Sequence, residues 1–365
     1  MRDTARQGRT GFTTGACAAA AARAATLGLV SGTIPSQIRT RLPNGSEAEF
    51  TIISMALHQG QATATVIKDA GDDPDVTDKA AISATVTALA IPDWVEIEGG
   101  EGVGRVTLPG LGLSVGSAAI NPVPRRNIEE NMRQEAADWL AQQGLKVVIA
   151  VANGALIAER TLNARLGIIG GISILGTSGI VYPWSTRAFR MSVEQGIQVA
   201  ARRGIATVVL TTGGRSEKFA MAQLPTLPEG AFVQMGDFLA PALQQVVAEA
   251  IPQVVIAGMV GKLTKMAQGE TITHAHRNPV NMALVAELAA EAGAPEATVT
   301  TIRSAVTARF ASETLATLGL TAPFHRALAE RVVQRLGSDY QRRFSLRVLL
   351  CDHQGNYLAE AKSAW

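Results

Sequence analysis

From Ser185 onward, short apolar runs alternate with amphipathic helical stretches, and no other feature of the chain constrains its fold as tightly. IATVVLT (205–211), AFVQM (231–235) and QVVIAG (253–258) have the length and β-branched content of buried strands. A helical pattern starts at a Ser185 cap, with Phe189, Val193, Ile197 and Ala200 on one side. Others cover 281–292, 304–318 and 323–336. Strand–helix–strand alternation of this kind demands right-handed crossovers and a parallel sheet with helices on its faces.

Upstream of Ser185 the pattern is different. Thr13 and Thr14, an Ala-rich run and Gly28 predict a helix over about 15–27. Strand-like runs follow at 36–42, 47–54, 61–68, 81–90, 94–98, 104–108 and 145–152, with Pro43-Asn44-Gly45 as a hairpin signal. Asn127 is expected to cap a helix whose apolar face holds Ile128, Met132, Ala136, Trp139 and Leu140, with Gly144 as its stop. The tail FSLRVLLCDHQGNYLAEA reads as a hairpin around HQGN. The pattern therefore divides the chain into a first domain over 1–185, a domain over 186–340 with a parallel sheet and helices on its faces, and a hairpin over 341–365 that returns to the first sheet.

Composition removes several functional classes. With 47% apolar and 18% charged residues among 365, the chain is not intrinsically disordered. A net charge of +2 offers no field for non-specific nucleic-acid binding. Cys17 and Cys351 are the only cysteines, so disulfide scaffolds, iron–sulfur sites and zinc knuckles are not expected. Leu166 to Thr186 carries no charge for 21 residues, long enough to span a bilayer. Its five glycines and Pro183 fit a buried turn region better. The cationic, Arg23-interrupted start does not read as a signal peptide, and a cytoplasmic protein without a membrane partner is expected.

Four segments carry candidate chemistry. TTGACAAAAARAA (13–25) places Thr13 and Thr14 at a helix N-terminus, where free N–H groups can hold an anion; plain capping is the competing reading. Cys17 lies in the same first turn, though a small buried hydrophobe is the stronger expectation. KDAGDDPDVTD (68–78) crowds Asp72, Asp73 and Asp75 with Asp69 and Asp78, which suits a general base or a hard cation as well as a structural turn. Crowding of this kind is expected to raise a carboxylate pKa. In LNARLGIIGGISILGTSGIVYPWSTRAFR (162–190), Gly170, Gly171, Gly176, Thr177, Ser178 and Gly179 would let the main chain approach a ligand. Arg187 and Arg190 fall early in the next helix, where a cation opposes the macrodipole unless an anion compensates. AGMVGKLTKMAQGETITHAHR (257–277) fails as a phosphate-binding loop, because Ile256 and Leu263 stand at the first Gly and Ser/Thr positions. It still sets Lys262 and Lys265 at a strand's carboxyl end, where open α/β sheets bind ligands. His274 and His276 lack a third metal partner in the sequence, and no protein metal site is expected.

Taken in order, GFTTGACAAAAARAA, DAGDDPDVT, EGVGRVTLPGLG, INPVPRRNI, LNARLGIIGGISILGTSGIV and GKLTKMAQG resemble the cobalt-precorrin-5B C(1)-methyltransferase family of corrin synthesis. The likeness runs from Gly11 to about Gly269. It departs at Phe12, Ala16 and Ala164, where Tyr, Thr and Pro are usual. The resemblance implies an α/β plus α+β fold, with 1–185 as the α+β domain and 186–340 as a Rossmann-like α/β domain. It also implies S-adenosylmethionine as methyl donor, and a tetrapyrrole polycarboxylate that brings its own cobalt as acceptor. On that footing the Gly-rich segment would take the donor, and one of Asp72, Asp73 and Asp75 would be the base. Thr13, Thr14, Arg125, Arg126, Arg187, Arg190, Lys262 and Lys265 would meet the acceptor's acid arms. A small-molecule kinase and a non-catalytic tetrapyrrole carrier are the competing functions, and self-association is left open.

Overall fold

A computed structural model describes residues 8–58, 60–273 and 279–365. The chain divides into two compact units, Met1–Thr186 and Arg187–Trp365.

The first unit is built around one helix, α1 (Thr14–Ser31). Thr13 caps it by accepting from the Ala16 N–H, and Gly32 ends it in the left-handed conformation. Eight alanines between Ala16 and Ala25 are fully buried, so the helix is covered all round. Small side chains let it pack between a sheet and a second helix, α2 (Pro122–Glu135). The sheet holds β1 (Gln37–Arg41), β2 (Glu47–His58), β3 (Gln61–Ile67), β4 (Ala81–Leu89), β5 (Val95–Gly99) and β6 (Gly144–Val151). Its order is β1-β2-β3-β4-β6-β5, antiparallel except for the β6–β5 pair.

The helix expected from Asn127 in fact begins at Pro122, with Asn121 before it. Proline at the first helical position needs no N–H partner and sets the start. Asn127 lies inside the helix, buried, and its side-chain amide donates to the Arg41 carbonyl at 2.8 Å. Asn131 donates to the same carbonyl, and its side-chain oxygen accepts from the Arg41 N–H. The two asparagines thus tie α2 to the end of β1. Gly144 opens β6 instead of closing the helix.

The second unit contains α3 (Thr186–Arg202), β7 (Thr207–Thr211), α4 (Gly214–Gln223), β8 (Phe232–Gln234), α5 (Leu239–Ala248), β9 (Gln253–Met259) and α6 (Val260–Ala267). Then come α7 (Met282–Glu291), α8 (Glu296–Arg303), α9 (Ala308–Ala316), α10 (Thr321–Asp339), β10 (Ser345–Cys351) and β11 (Tyr357–Lys362). The sheet order is β8-β7-β9-β10-β11, parallel through β10. Val193, Ile197 and Ala200 of α3 are buried as expected, whereas Phe189 is exposed. The single helix expected over 304–318 is instead α9, with the end of α8 before it.

The C-terminal hairpin is the main correction. β10 pairs in parallel with β9 from Gln253↔Ser345 to Met259↔Cys351, so the tail belongs to the second sheet. A buried run such as LRVLL fits a central parallel strand covered on both faces, and β11 closes the edge.

Candidate functional site

The Gly-rich segment and the start of α1 are brought together, but by bonds within the chain. Gly15 N–H donates to Leu175 O at 3.0 Å, and Thr13 N–H to Gly179 O at 3.0 Å. The Thr14 hydroxyl donates to Ser173 O and accepts from Leu175 N–H at 2.9 Å. Thr13 and Thr14 are buried with their hydroxyls engaged, so this helix start is closed by the chain's own carbonyls. The glycines serve the same closure. A Cβ on Gly171 would lie 2.2 Å from Gly102 O, and one on Gly176 2.4 Å from Thr13 Oγ1. A Cβ on Gly179 would press on Leu42 and Pro43. Ser178 bonds its own neighbour, Ile180. Of the segment's glycines, only Gly170 would carry a Cβ that meets nothing within 4 Å among the described residues, and Thr177 is exposed. The backbone approach expected for a ligand is, at Gly171 and Gly176, an approach of chain to chain.

The acidic loop is a junction. Arg9 makes a two-nitrogen ion pair with Asp69, and its N–H donates to Asp72 at 2.7 Å. Asp73 accepts from the Trp184 N–H at 2.9 Å, and Asp78 from the Ala70 N–H at 2.8 Å. Asp75 meets the Lys68 ammonium at 2.7 Å; Lys68 is 1% exposed. Burial pushes Asp75 up, but the Lys68 hydrogen bond and charge, with the Thr77 donors, outweigh it and hold the carboxyl below its ordinary value. The Arg9 hydrogen bond, helped by the Gly71 N–H, takes Asp69 down to about 2. The rise expected from crowding is thus reversed at both groups, because each carboxylate faces a cation. Burial pushes the Cys17 thiol up to about 12, which makes it a small core residue and not a thiolate.

The expected cations divide between the units. Arg125 donates to the Ile97 carbonyl at 2.8 Å, and Arg126 is exposed. Arg187 is exposed at the start of α3, and Arg190 is exposed and pairs with Glu194 one turn on. Lys262 and Lys265 share α6: Lys265 is buried, and Lys262 reaches Asp237 at 2.9 Å and the Thr212 carbonyl at 3.1 Å. His274 and His276 lie outside the described residues. Among the described residues, no three His, Cys, Asp or Glu side chains form a group that could hold a metal. No helix among them is long and apolar enough to cross a membrane.

One constellation escaped the sequence reading except for Lys262. The carboxyl ends of β7, β8 and β9 lead into Thr212–Gly213–Gly214, Gly236–Asp237 and Val260–Gly261–Lys262. Among the described residues, a Cβ on Gly213 or Gly261 would meet nothing within 4 Å. The Thr211 hydroxyl at the end of β7 is fully buried and has no hydrogen-bond partner among the described residues. Thr-Thr-Gly-Gly directly after an apolar strand run and before a helix was the available signal.

Comparison with known proteins identifies the family. The family profile CbiD matches residues 1–183, and CbiD, C-terminal domain, matches residues 272–362. A protein of Polaromonas naphthalenivorans named cobalt-precorrin-5B C(1)-methyltransferase is 57% identical over 354 residues, 97% of each chain. One of Methylococcus capsulatus with the same name is 58% identical over 353 residues, 96% of this chain and 93% of its own. A crystal structure of a cobalamin biosynthesis protein (cbiD) from Archaeoglobus fulgidus is 27% identical and covers 71% of this chain and 79% of its own. Its TM-score of 0.39 is too low to carry a fold assignment. The match of both profiles, and identity above half along nearly the whole length, establish that this chain belongs to the CbiD family.

Proposed function

We propose that the chain is a C-methyltransferase that uses S-adenosylmethionine to methylate carbon 1 of cobalt-precorrin-5B, in cobalamin biosynthesis. The 57% identity over 97% of both chains to a relative of that name carries this reading. The donor, when bound, supplies an electrophilic methyl group on a sulfonium. The chain's own task is then alignment of two reactants, which can contribute roughly 7–11 kcal/mol. Open glycines and an unpartnered buried hydroxyl at the strand ends of Arg187–Trp365 suit an adenosyl ligand, and we read that unit as the Rossmann-like domain. The acceptor's acid arms would meet exposed cations, with Arg126, Arg187 and Arg190 the most accessible of those considered. Thr13 and Thr14 would shape the acceptor site without touching it, because their hydroxyls are engaged inside the chain. Gly170 and Thr177 remain the open points of the Gly-rich segment. A proton must leave the acceptor, and Asp72 and Asp73 remain candidates to take it; Asp75 is the weakest, being held by Lys68. Cobalt belongs to the substrate. A cytoplasmic location, with no membrane or nucleic-acid partner, completes the reading.

Incubation with methyl-labelled S-adenosylmethionine and cobalt-precorrin-5B, followed by mass analysis, tests it. One labelled methyl group on the ring is expected, and an unlabelled acceptor refutes the reading. Nothing in the comparisons favours the kinase alternative, and ATP should not raise the melting temperature.

A further inference from the structure

The second sheet has a topological switch point. Numbered in chain order, its parallel strands run 2-1-3-4, so the chain leaves β7 and β9 in opposite directions. Phe219 and Ala220 of α4, which follows β7, pack on the face carrying Val209, Val255 and Leu349. Leu263 and Met266 of α6, which follows β9, pack on the face carrying Val208, Leu210 and Ile256. The two connections therefore part at the carboxyl ends of neighbouring strands, the place where open sheets of this kind form a crevice. Open α/β sheets bind nucleotides at such a point.

The residues there suit an adenosyl group. Gly213 and Gly261 present backbone with no described atom within 4 Å of the Cβ position. The buried Thr211 hydroxyl lies at the base of the β7 connection and lacks a partner among the described residues. Asp237 follows the second strand of the unit, where sheets of this kind place an acid that accepts from ribose hydroxyls. It receives Lys262 Nζ at 2.9 Å and the Thr273 hydroxyl at 3.3 Å. A carboxylate offers about four lone-pair sites, so two ribose hydroxyls can still be accommodated. Lys262 also donates to Thr212 O, which fixes the acid against the β7 connection. A groove of about 320 Å³ exists at the opposite edge, near Thr207, Gln253 and Ser345. There the strands begin and the preceding helices end, so helix carboxyl termini would oppose a ligand carboxylate.

We propose that the adenosyl end of the methyl donor binds in the crevice between the carboxyl ends of β7 and β9, with Asp237 on its ribose and Gly213 and Gly261 against its flat faces. This rests on the methyltransferase reading above. The test is calorimetric titration of the full chain and its variants with S-adenosylhomocysteine. Gly261 sits in a helix with open space at its Cβ, so Gly261→Leu should fold with an equal or higher melting temperature. Its affinity should fall at least tenfold, and Asp237→Asn should lose a similar factor. A folded Gly261→Leu protein together with an Asp237→Asn protein, both at full affinity, overturns the assignment. Loss in Thr177→Leu with retention in Gly261→Leu places the donor on the Gly-rich segment instead. A wild-type protein that binds no S-adenosylhomocysteine refutes the donor reading itself, which separates that failure from a misplaced site.

Discussion

Replacing Asp75 by alanine should destabilise the protein far more than replacing its partner. Lys68 is 1% exposed, while the Asp75 side chain keeps 25% of its surface in solvent. Asp75→Ala strands a buried ammonium, and breaking a buried pair in that way costs about 3–5 kcal/mol. Partial exposure of Asp75 puts the value at the lower end, about 3 kcal/mol. Lys68→Met removes the buried charge and fills its volume. The remaining carboxylate keeps water and the two Thr77 donors at 2.7 and 2.8 Å. At roughly 2–4 °C per kcal/mol for a unit of this size, Asp75→Ala should melt about 6–12 °C lower, and Lys68→Met much less. Scanning calorimetry at neutral pH measures both. Equal losses, or an Asp75→Ala protein that melts like the wild type, refute the argument that the carboxylate exists to hold the lysine. Turnover then separates structure from chemistry. If Asp75 were the base, Asp75→Asn would lose activity at temperatures where it is fully folded.

Backbone packing and titration give three further tests. Gly171→Ala puts a methyl 2.2 Å from the backbone oxygen of Gly102 and should cost at least about 3 kcal/mol, whereas Gly170→Ala meets no described atom within 4 Å and pays only the left-handed strain of about 1–2 kcal/mol; equal melting points would contradict this. Burial holds the His325 pKa down to about 4, so its contribution is complete above the ordinary value near 6.5 and is lost as pH falls toward 4. Asp69, held down to about 2, adds a second loss between about pH 4 and 2, and a His325→Gln variant should flatten the first step alone in a melting series. Arg187→Ala should keep its melting temperature within about 1 °C, because surface charges contribute little, yet bind the acceptor roughly tenfold more weakly if the arginine receives an acid arm; unchanged affinity removes it from the site.

Much of the fold was legible because periodicity reports burial directly. The Thr13 cap and the alanine run marked α1, and the runs at 47–54, 61–68 and 81–90 became adjacent antiparallel strands. What periodicity could not report was pairing across distance. Seven tail residues that are buried as a strand read the same whichever sheet they join, and their register with Gln253–Met259 exists only in three dimensions. The misplaced helix start has a local cause: Asn127 looks like a cap in sequence, but its side chain is engaged by Arg41, 86 residues away.

The site was harder to read, and the glycines show why. A glycine announces that something comes close to the backbone, without saying whether that something is ligand or chain. At Gly171 and Gly176 the neighbour is the chain itself, a carbonyl at Gly102 and a hydroxyl at Thr13. At Gly213 and Gly261 no described residue stands beside the backbone, and both lie where two connections leave a parallel sheet in opposite directions. The densest glycine segment is therefore the one that holds the start of α1, and the sparser Thr-Thr-Gly-Gly turn is the one with room for a ligand. The same reasoning applies to the aspartates. Five carboxylates in ten residues suggested chemistry because like charges repel, yet Arg9 and Lys68 neutralise two of them, and backbone N–H groups hold Asp72, Asp73 and Asp78. Residue density in a sequence measures demand for close contact or charge balance. Only the partner that satisfies the demand separates a scaffold from a site.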